Sequence, residues 1–228
     1  MSWTDKQSIK VINYLRDKYK VDVFVETGTF RGINAEFQSK NFRWVYTCEK
    51  VKKFYNEAQK RLDKCENVVC MNKDSRSFLK DWKEDNIIFY LDAHFYNPKL
   101  PKNKRFVVLD ELKSLKNNME CIIIIHDFDN NKYGHITYDG ISLDMKLLRE
   151  DLLNVNPSFN FYTNNKCDIV KPNSEDIVKA GLNVDYDTLN NLEYAWSKPR
   201  LTKRGLLYCL PTELNKKEIT KLGVRKIK

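Results

Sequence analysis

The chain has 228 residues, 42% hydrophobic and 31% charged, with a formal net charge of +9. That length suits one α/β domain with a modest insertion. No apolar run approaches the ~20 residues of a membrane helix, and the polar start "MSWTDKQSIKV" lacks the apolar core of a secretory signal, so a cytoplasmic protein without a membrane partner is expected.

The six cysteines form no CxxC pair, and the three histidines do not stand at zinc spacing from them. Cys48, Cys70, Cys121 and Cys209 lie in or beside strand-like apolar runs, where a reduced thiol behaves as a small hydrophobe. Reduced thiols are the expectation.

Helical and strand-like segments alternate along the chain. "SIKVINYLRDKY" has apolar residues at helical spacing and leads into the strand "VDVFVE". "INAEFQSK" then predicts a helix before the strand "WVYTCE", and "KFYNEAQKRLDKC" a helix before "NVVCMNKD". "SRSFLKDW" precedes a fourth strand, "NIIFYLDAH", and "VVLDELKSLKNN" a fifth, "CIIIIHDF". Strands so uniformly apolar belong to a parallel sheet covered on both faces. A polar loop, 129–140, separates this half from the helix "ISLDMKLLREDLL" and the strand "FNFYTN". The stretch 164–204 breaks the rhythm before a final strand, "RGLLYCLP", and is read as an insertion that builds specificity, either as a lid or as the surface of a homodimer. The whole, 1–228, is read as a single domain closed by a basic tail, 213–228. That tail carries six basic and two acidic residues and reads as a solvated end; Lys99, Lys102, Lys104 and Arg105 form a second basic cluster in a loop.

The strongest functional signal is positional. Glu26, Glu49, Asp74, Asp92 and Asp127 stand at the ends of the first five strands. In an open parallel sheet, ligands bind in the crevice outside the carboxyl ends of the strands. Five acids therefore rim one crevice. Within "VFVETGTFRG" the glycines are Gly28 and Gly32, with Phe30 where a dinucleotide fingerprint has its second glycine, so close approach of a pyrophosphate is disfavoured. No G-K-[ST] Walker ending follows either.

What remains, E-x-G-x-x-x-G, resembles the first motif of the class I S-adenosyl-L-methionine (SAM) methyltransferases. "LDAH", "LDELKSL", "IIIIHDF", "YDGISLDMKLL" and "KRGLLYCLP" are similar to segments of a poorly characterised bacterial and viral methyltransferase-like family, akin to the macrocin-type sugar O-methyltransferases. The resemblance implies a Rossmann-like, doubly wound, mostly parallel seven-stranded sheet with helices on both faces. It implies SAM lying on Glu26, Gly28, Thr29 and Gly32, its ribose on Glu49, its adenine beside Asp74 and Ser75, and Asp92 at the reacting end. It further implies acids after the fourth and fifth strands that hold a divalent metal, here Asp92, Asp127 and Asp129 with Mg²⁺.

Asp92, His94 and Asp127 are the candidates for chemistry, with His94 accepting the proton of a metal-activated hydroxyl. His126, at the end of an isoleucine run, reads as buried and satisfied, and His135 as a surface residue. Phe95, Tyr96, Tyr133 and Tyr138 could stack on substrate or simply close the site. The expected activity is O-methylation of a small-molecule hydroxyl such as a sugar. A nucleic-acid acceptor gripped by the basic clusters is the alternative; against it, "DAHF" stands where a base methylase has its N/D-P-P-aromatic tetrapeptide. A catalytically silent binding module is the third reading, motivated by Phe30.

Overall fold

A computed structural model describes residues 6–80, 82, 86–93, 106–115, 120–132, 137–138, 141–166 and 205–228. The expected alternation is present. Helix α1 (Lys6–Tyr19) precedes β1 (Val23–Thr27), α2 (Ile33–Gln38), β2 (Trp44–Cys48), α3 (Lys52–Leu62) and β3 (Val68–Met71). Then come α4 (Ser75–Leu79), β4 (Ile87–Leu91), α5 (Val107–Ser114) and β5 (Ile122–His126). A short hairpin, β6 (Thr137–Tyr138) with β7 (Ile141–Ser142), stands where a loop running into a helix is expected. Asp144 accepts from the Leu147 N–H and caps α6 (Met145–Val155), so the helix begins there rather than at Ile141. Strands β8 (Asn160–Asn164) and β9 (Leu206–Leu210) follow.

The chain ends in structure rather than in a solvated tail. Helix α7 (Lys216–Leu222) and strand β10 (Val224–Lys226) occupy the segment read as a basic end. Leu214, Leu222 and Val224 are buried, and the Leu214 N–H donates to the buried Tyr162 hydroxyl. Asn215 and Glu218 form a reciprocal capping box at the start of α7. Glu218 also accepts from the Tyr14 hydroxyl and from Lys18 on α1, contacts that hold its carboxyl down at about 2. Charge masked an amphipathic pattern that is too short to stand out in sequence.

Among the described residues the main sheet has eight strands in the order β10-β8-β9-β5-β4-β1-β2-β3, one more than the expected seven, the addition being β10. Strands β1 to β5 run parallel, while β9 is antiparallel to both β5 and β8, and β10 antiparallel to β8. Alternate residues of the central strands feed two cores. Phe89, Leu91, Ile123 and Ile125 face α4, α5 and α6; Ile88, Tyr90, Ile122 and Ile124 face α1, α2, α3 and α7. This double burial explains the continuous apolar runs.

Strand order reverses between β1 and β4, and the crevice at such a switch point is where open α/β sheets bind ligands. Cys48, Cys65, Cys70, Cys121 and Cys209 are free thiols. Residues 167–204 of the insertion, His94, Phe95, Tyr96, Tyr133, His135 and the Lys99–Arg105 cluster lie outside the described residues. None of the described helices is long and apolar enough to cross a membrane.

Candidate cofactor and catalytic site

The turn after β1 is built by three left-handed residues: Gly28 (φ 79°), Phe30 (φ 51°) and Gly32 (φ 77°). At Gly28 the reason is proximity as well as dihedral. A Cβ there would stand 2.8 Å from the Asp92 carbonyl oxygen, so the β1 turn and the end of β4 approach backbone to backbone. The Gly28 and Thr29 N–H groups both donate to the Cys48 carbonyl at 3.0 Å, which ties the turn to β2. Phe30 takes the glycine-like conformation without a glycine. Its ring is 41% exposed and packs against Phe54, so the turn keeps its path and the ring stands outward from it.

The Phe30 N–H donates to Glu49 Oε2 at 2.9 Å, and the Val51 N–H donates to Oε1 at 2.8 Å. Glu49, buried directly after β2, is thereby fixed, and each of its oxygens keeps a second lone pair for a ligand. Two parallel acceptors on one rigid carboxylate match a vicinal diol.

Glu26 lies one residue before the end of β1, fully buried. Asn34 donates to one of its oxygens at 2.7 Å and the Thr47 hydroxyl to the other at 2.9 Å. Burial pushes its carboxyl up to about 8; the two hydrogen bonds oppose this, and the charges of Asp92 and Glu49 add to it. Thr47 also shares a 2.5 Å contact with the Thr29 hydroxyl. Asn34 and Thr47 carry no sequence signal of their own, because their role exists only once α2 and β2 flank β1.

Asp74 caps α4 through the Arg76 N–H and is clamped by the Arg76 guanidinium and Lys50. The Arg76 hydrogen bonds, together with Lys50, hold its carboxyl well below the usual range. Ser75 beside it is buried. The structure therefore gives Asp74 an architectural task at the rim where the adenine is expected.

Across the crevice, Asp92 follows β4 directly, its N–H donating to the Thr27 hydroxyl at 3.2 Å. Its carboxylate stands 2.9 Å from His126 Nδ1, and Asp127 Oδ2 lies 3.3 Å from the same nitrogen. Asp127 adopts φ 58°, a left-handed kink that Asp tolerates better than most residues, and so turns its carboxylate back onto the preceding side chain. Burial disfavours the charged imidazole, yet Asp127 and Asp92 outweigh it and raise His126 to about 9. His126 is buried as the sequence suggests, but it is also the hub of the acidic pair. Its strand-final position next to Asp127 was the available signal.

Asp92, His126 and Asp127 offer ligand atoms all within 4.8 Å of one another. Asp129, the third metal ligand expected from sequence, is not part of this group: its carboxylate accepts from the Asn131 N–H and its own N–H donates to the Leu143 carbonyl. The backbone kink at Asp127 directs His126, not Asp129, into the cluster.

Glu26 and His126 both bind protons more tightly folded than unfolded. Their contribution is fully present below the unfolded values, near 4.5 and 6.5, and is lost as pH rises through about 8 and about 9. The thermal midpoint should therefore fall between pH 6.5 and 9, by roughly 3–6 °C for about 1–2 kcal/mol at this chain length. A scanning-fluorimetry profile that is flat or rises over that window would contradict these assignments.

No protein-family model matches the sequence, and no curated protein matches it. The fold does find solved counterparts. An rRNA methylase from Streptococcus thermophilus aligns over 90% of this chain and 97% of its own, at TM-score 0.51 and 13% identity. The plantazolicin methyltransferase BamL, solved with S-adenosylhomocysteine (SAH) and a triazolic desmethylPZN analogue, aligns over 90% and 85%, at 0.51 and 15%. Phosphoethanolamine N-methyltransferase 2 from Haemonchus contortus, solved with SAM, aligns over 85% of this chain at 0.53 and 10%, this chain spanning about half (49%) of that protein. The chain has the class I SAM-methyltransferase fold. Within it, the Gly28 turn and Glu49 form the β1–β2 side of the crevice, and Asp92, His126 and Asp127 the β4–β5 side.

Proposed function

We propose that the chain is a SAM-dependent methyltransferase acting on an acceptor hydroxyl, a small-molecule or sugar hydroxyl being the class expected from the sequence. The observation that carries the reading is a fixed diol acceptor, Glu49, directly after β2 in the switch-point crevice of this fold. A cofactor's ribose needs such a carboxylate, with both oxygens free to accept from its two hydroxyls.

Bound SAM supplies an electrophilic methyl group on a sulfonium. The chain's own residues do the rest. Glu49 orients the ribose. Asp92, the more accessible acid of the β4–β5 cluster, would accept the acceptor's O–H and take its proton. His126 holds a proton between Asp92 and Asp127, so that two carboxylates can stand together in a nearly dry corner.

A divalent ion is a second reading, favoured by the three donor atoms within 4.8 Å. Asp92, Asp127 and His126 would hold it, and a set that includes an imidazole suits Mn²⁺ or Fe²⁺ better than Mg²⁺. Loss of turnover in EDTA and its return with Mn²⁺ would support the ion; EDTA-insensitive turnover would remove it.

Glu49→Ala should weaken SAH binding by about 1.5–3 kcal/mol, the worth of charge-assisted hydrogen bonds. Calorimetric titration reads this directly, and unchanged affinity would detach the ribose from Glu49.

A further inference from the structure

Among the described residues, the large apolar side chains left exposed are Phe30 (41%), Trp44 (40%) and Val51 (40%). Trp44 stands at the start of β2, away from the crevice. Phe30 and Val51 are the two residues whose N–H groups hold the Glu49 carboxylate, at 2.9 and 2.8 Å. An N–H in hydrogen-bond contact places the Cβ of the same residue within about 5 Å of the oxygen it serves. Apolar side chains therefore flank the diol acceptor, one from the turn after β1 and one from the residue that opens α3. Neither side chain is needed to hold Glu49, since every residue but proline carries the N–H.

Both residues also break a local preference. Phe30 sits at φ 51°, a region that glycine enters freely and that costs a bulky residue energy. Val51 is the N-cap of α3 and makes no side-chain cap bond, at a position where Ser, Asp or Asn would stabilise the helix. Two such departures on either side of one carboxylate mark a ligand clamp better than they mark a fold. The Phe30 ring is braced as well. Phe54, in the first turn of α3, packs against it with centroids 4.6 Å apart, and the Arg31 guanidinium, itself held by Glu57 at 2.9 Å, lies 5.3 Å from its centroid. A ring held from two directions and still exposed has little rotamer freedom left to lose when a ligand meets it. A nucleoside has the matching chemistry: a diol edge for the carboxylate, with sugar carbons and an apolar base face close behind it.

We propose that Phe30 and Val51 are specificity residues of the cofactor site, two apolar jaws that take the sugar carbons and base face of a nucleoside whose vicinal hydroxyls rest on Glu49. In the methyl-transfer reading, on which this rests, that nucleoside is the adenosine part of SAM. The aromatic side chain that in sequence suggests a closed pocket is then part of the pocket's wall.

The test is calorimetric titration of the full-length chain with SAH and with 5′-methylthioadenosine, which shares the nucleoside and lacks the amino-acid arm. Phe30→Asn removes the ring, suits the left-handed position and keeps the main-chain donor to Glu49. It should weaken both ligands by the same factor, about five- to tenfold, while Phe30→Tyr should stay within about twofold of wild type. Val51→Ser supplies the missing cap, so its thermal midpoint should hold or rise, and yet both ligands should weaken about threefold. Those opposite movements separate a ligand contact from a structural role. Wild-type affinity in Phe30→Asn or in Val51→Ser, or a loss confined to SAH, would overturn the jaws and leave the methyl-transfer reading standing. Silence of the wild-type chain with both ligands would overturn the two together.

Discussion

Asp92→Asn should abolish turnover, a loss of about 10²–10⁴-fold if the carboxylate is the group that takes the acceptor's proton. The substitution keeps the shape of the side chain and leaves the main-chain bond from the Asp92 N–H to Thr27 in place. SAH affinity should therefore stay near wild type, because Glu49 and the Gly28 backbone are untouched. A second readout needs no acceptor. Asp92 is one of the two charges that raise His126 to about 9, so the imidazole titration followed by NMR should move down in the variant. Full turnover together with an unmoved His126 would take Asp92 out of the mechanism.

The second large effect is expected at Gly28. An alanine there must adopt φ near +79° and place its Cβ 2.8 Å from the Asp92 carbonyl oxygen and 3.0 Å from the Ala93 Cα. Neither neighbour is a flexible side chain, so the end of β4 has to move or the turn has to open. Loss of stability of about 1–3 kcal/mol in denaturant unfolding is the expected cost of such backbone strain. SAH affinity should fall with it, since both halves of the crevice shift. Gly32→Ala is the informative comparison: its φ is similar at +77°, but the added Cβ would meet the side chains of Leu62 and Ala58 at 3.1–3.3 Å, which can yield. Gly32→Ala should cost less on both readouts. Equal costs would mean that the dihedral alone, and not the approach to Asp92, makes Gly28 necessary.

The parts of this molecule that are legible in its sequence share a local cause. Isoleucine runs such as Ile122–Ile125 mark strands buried on both faces, and an acid directly after such a run marks the crevice. Glu26, Glu49, Asp92 and Asp127 are found that way. What sequence does not show is how two strand ends face each other. The Asp92–His126–Asp127 cluster depends on β4 lying beside β5 and on a left-handed residue at Asp127, neither of which the residue string announces. Asp129 stands outside that group, and spacing along a strand end says nothing about a kink such as the one at Asp127. Phe30 is the opposite case. A missing glycine suggested a blocked loop, yet the turn is kept at φ 51° with the ring outside it. The C-terminal segment reads as a solvated end because its six cations dominate a short pattern in which Leu214, Leu222 and Val224 do the burying.

If the chain is a methyltransferase, the crevice between the Gly28 turn, Glu49 and Asp92 holds SAM. Calorimetric titration of the purified chain with SAH, with NAD as the control, tests it most directly. Saturable, roughly micromolar SAH binding near −8 kcal/mol and no heat from NAD are expected. Binding of NAD, or silence with both ligands, would contradict it.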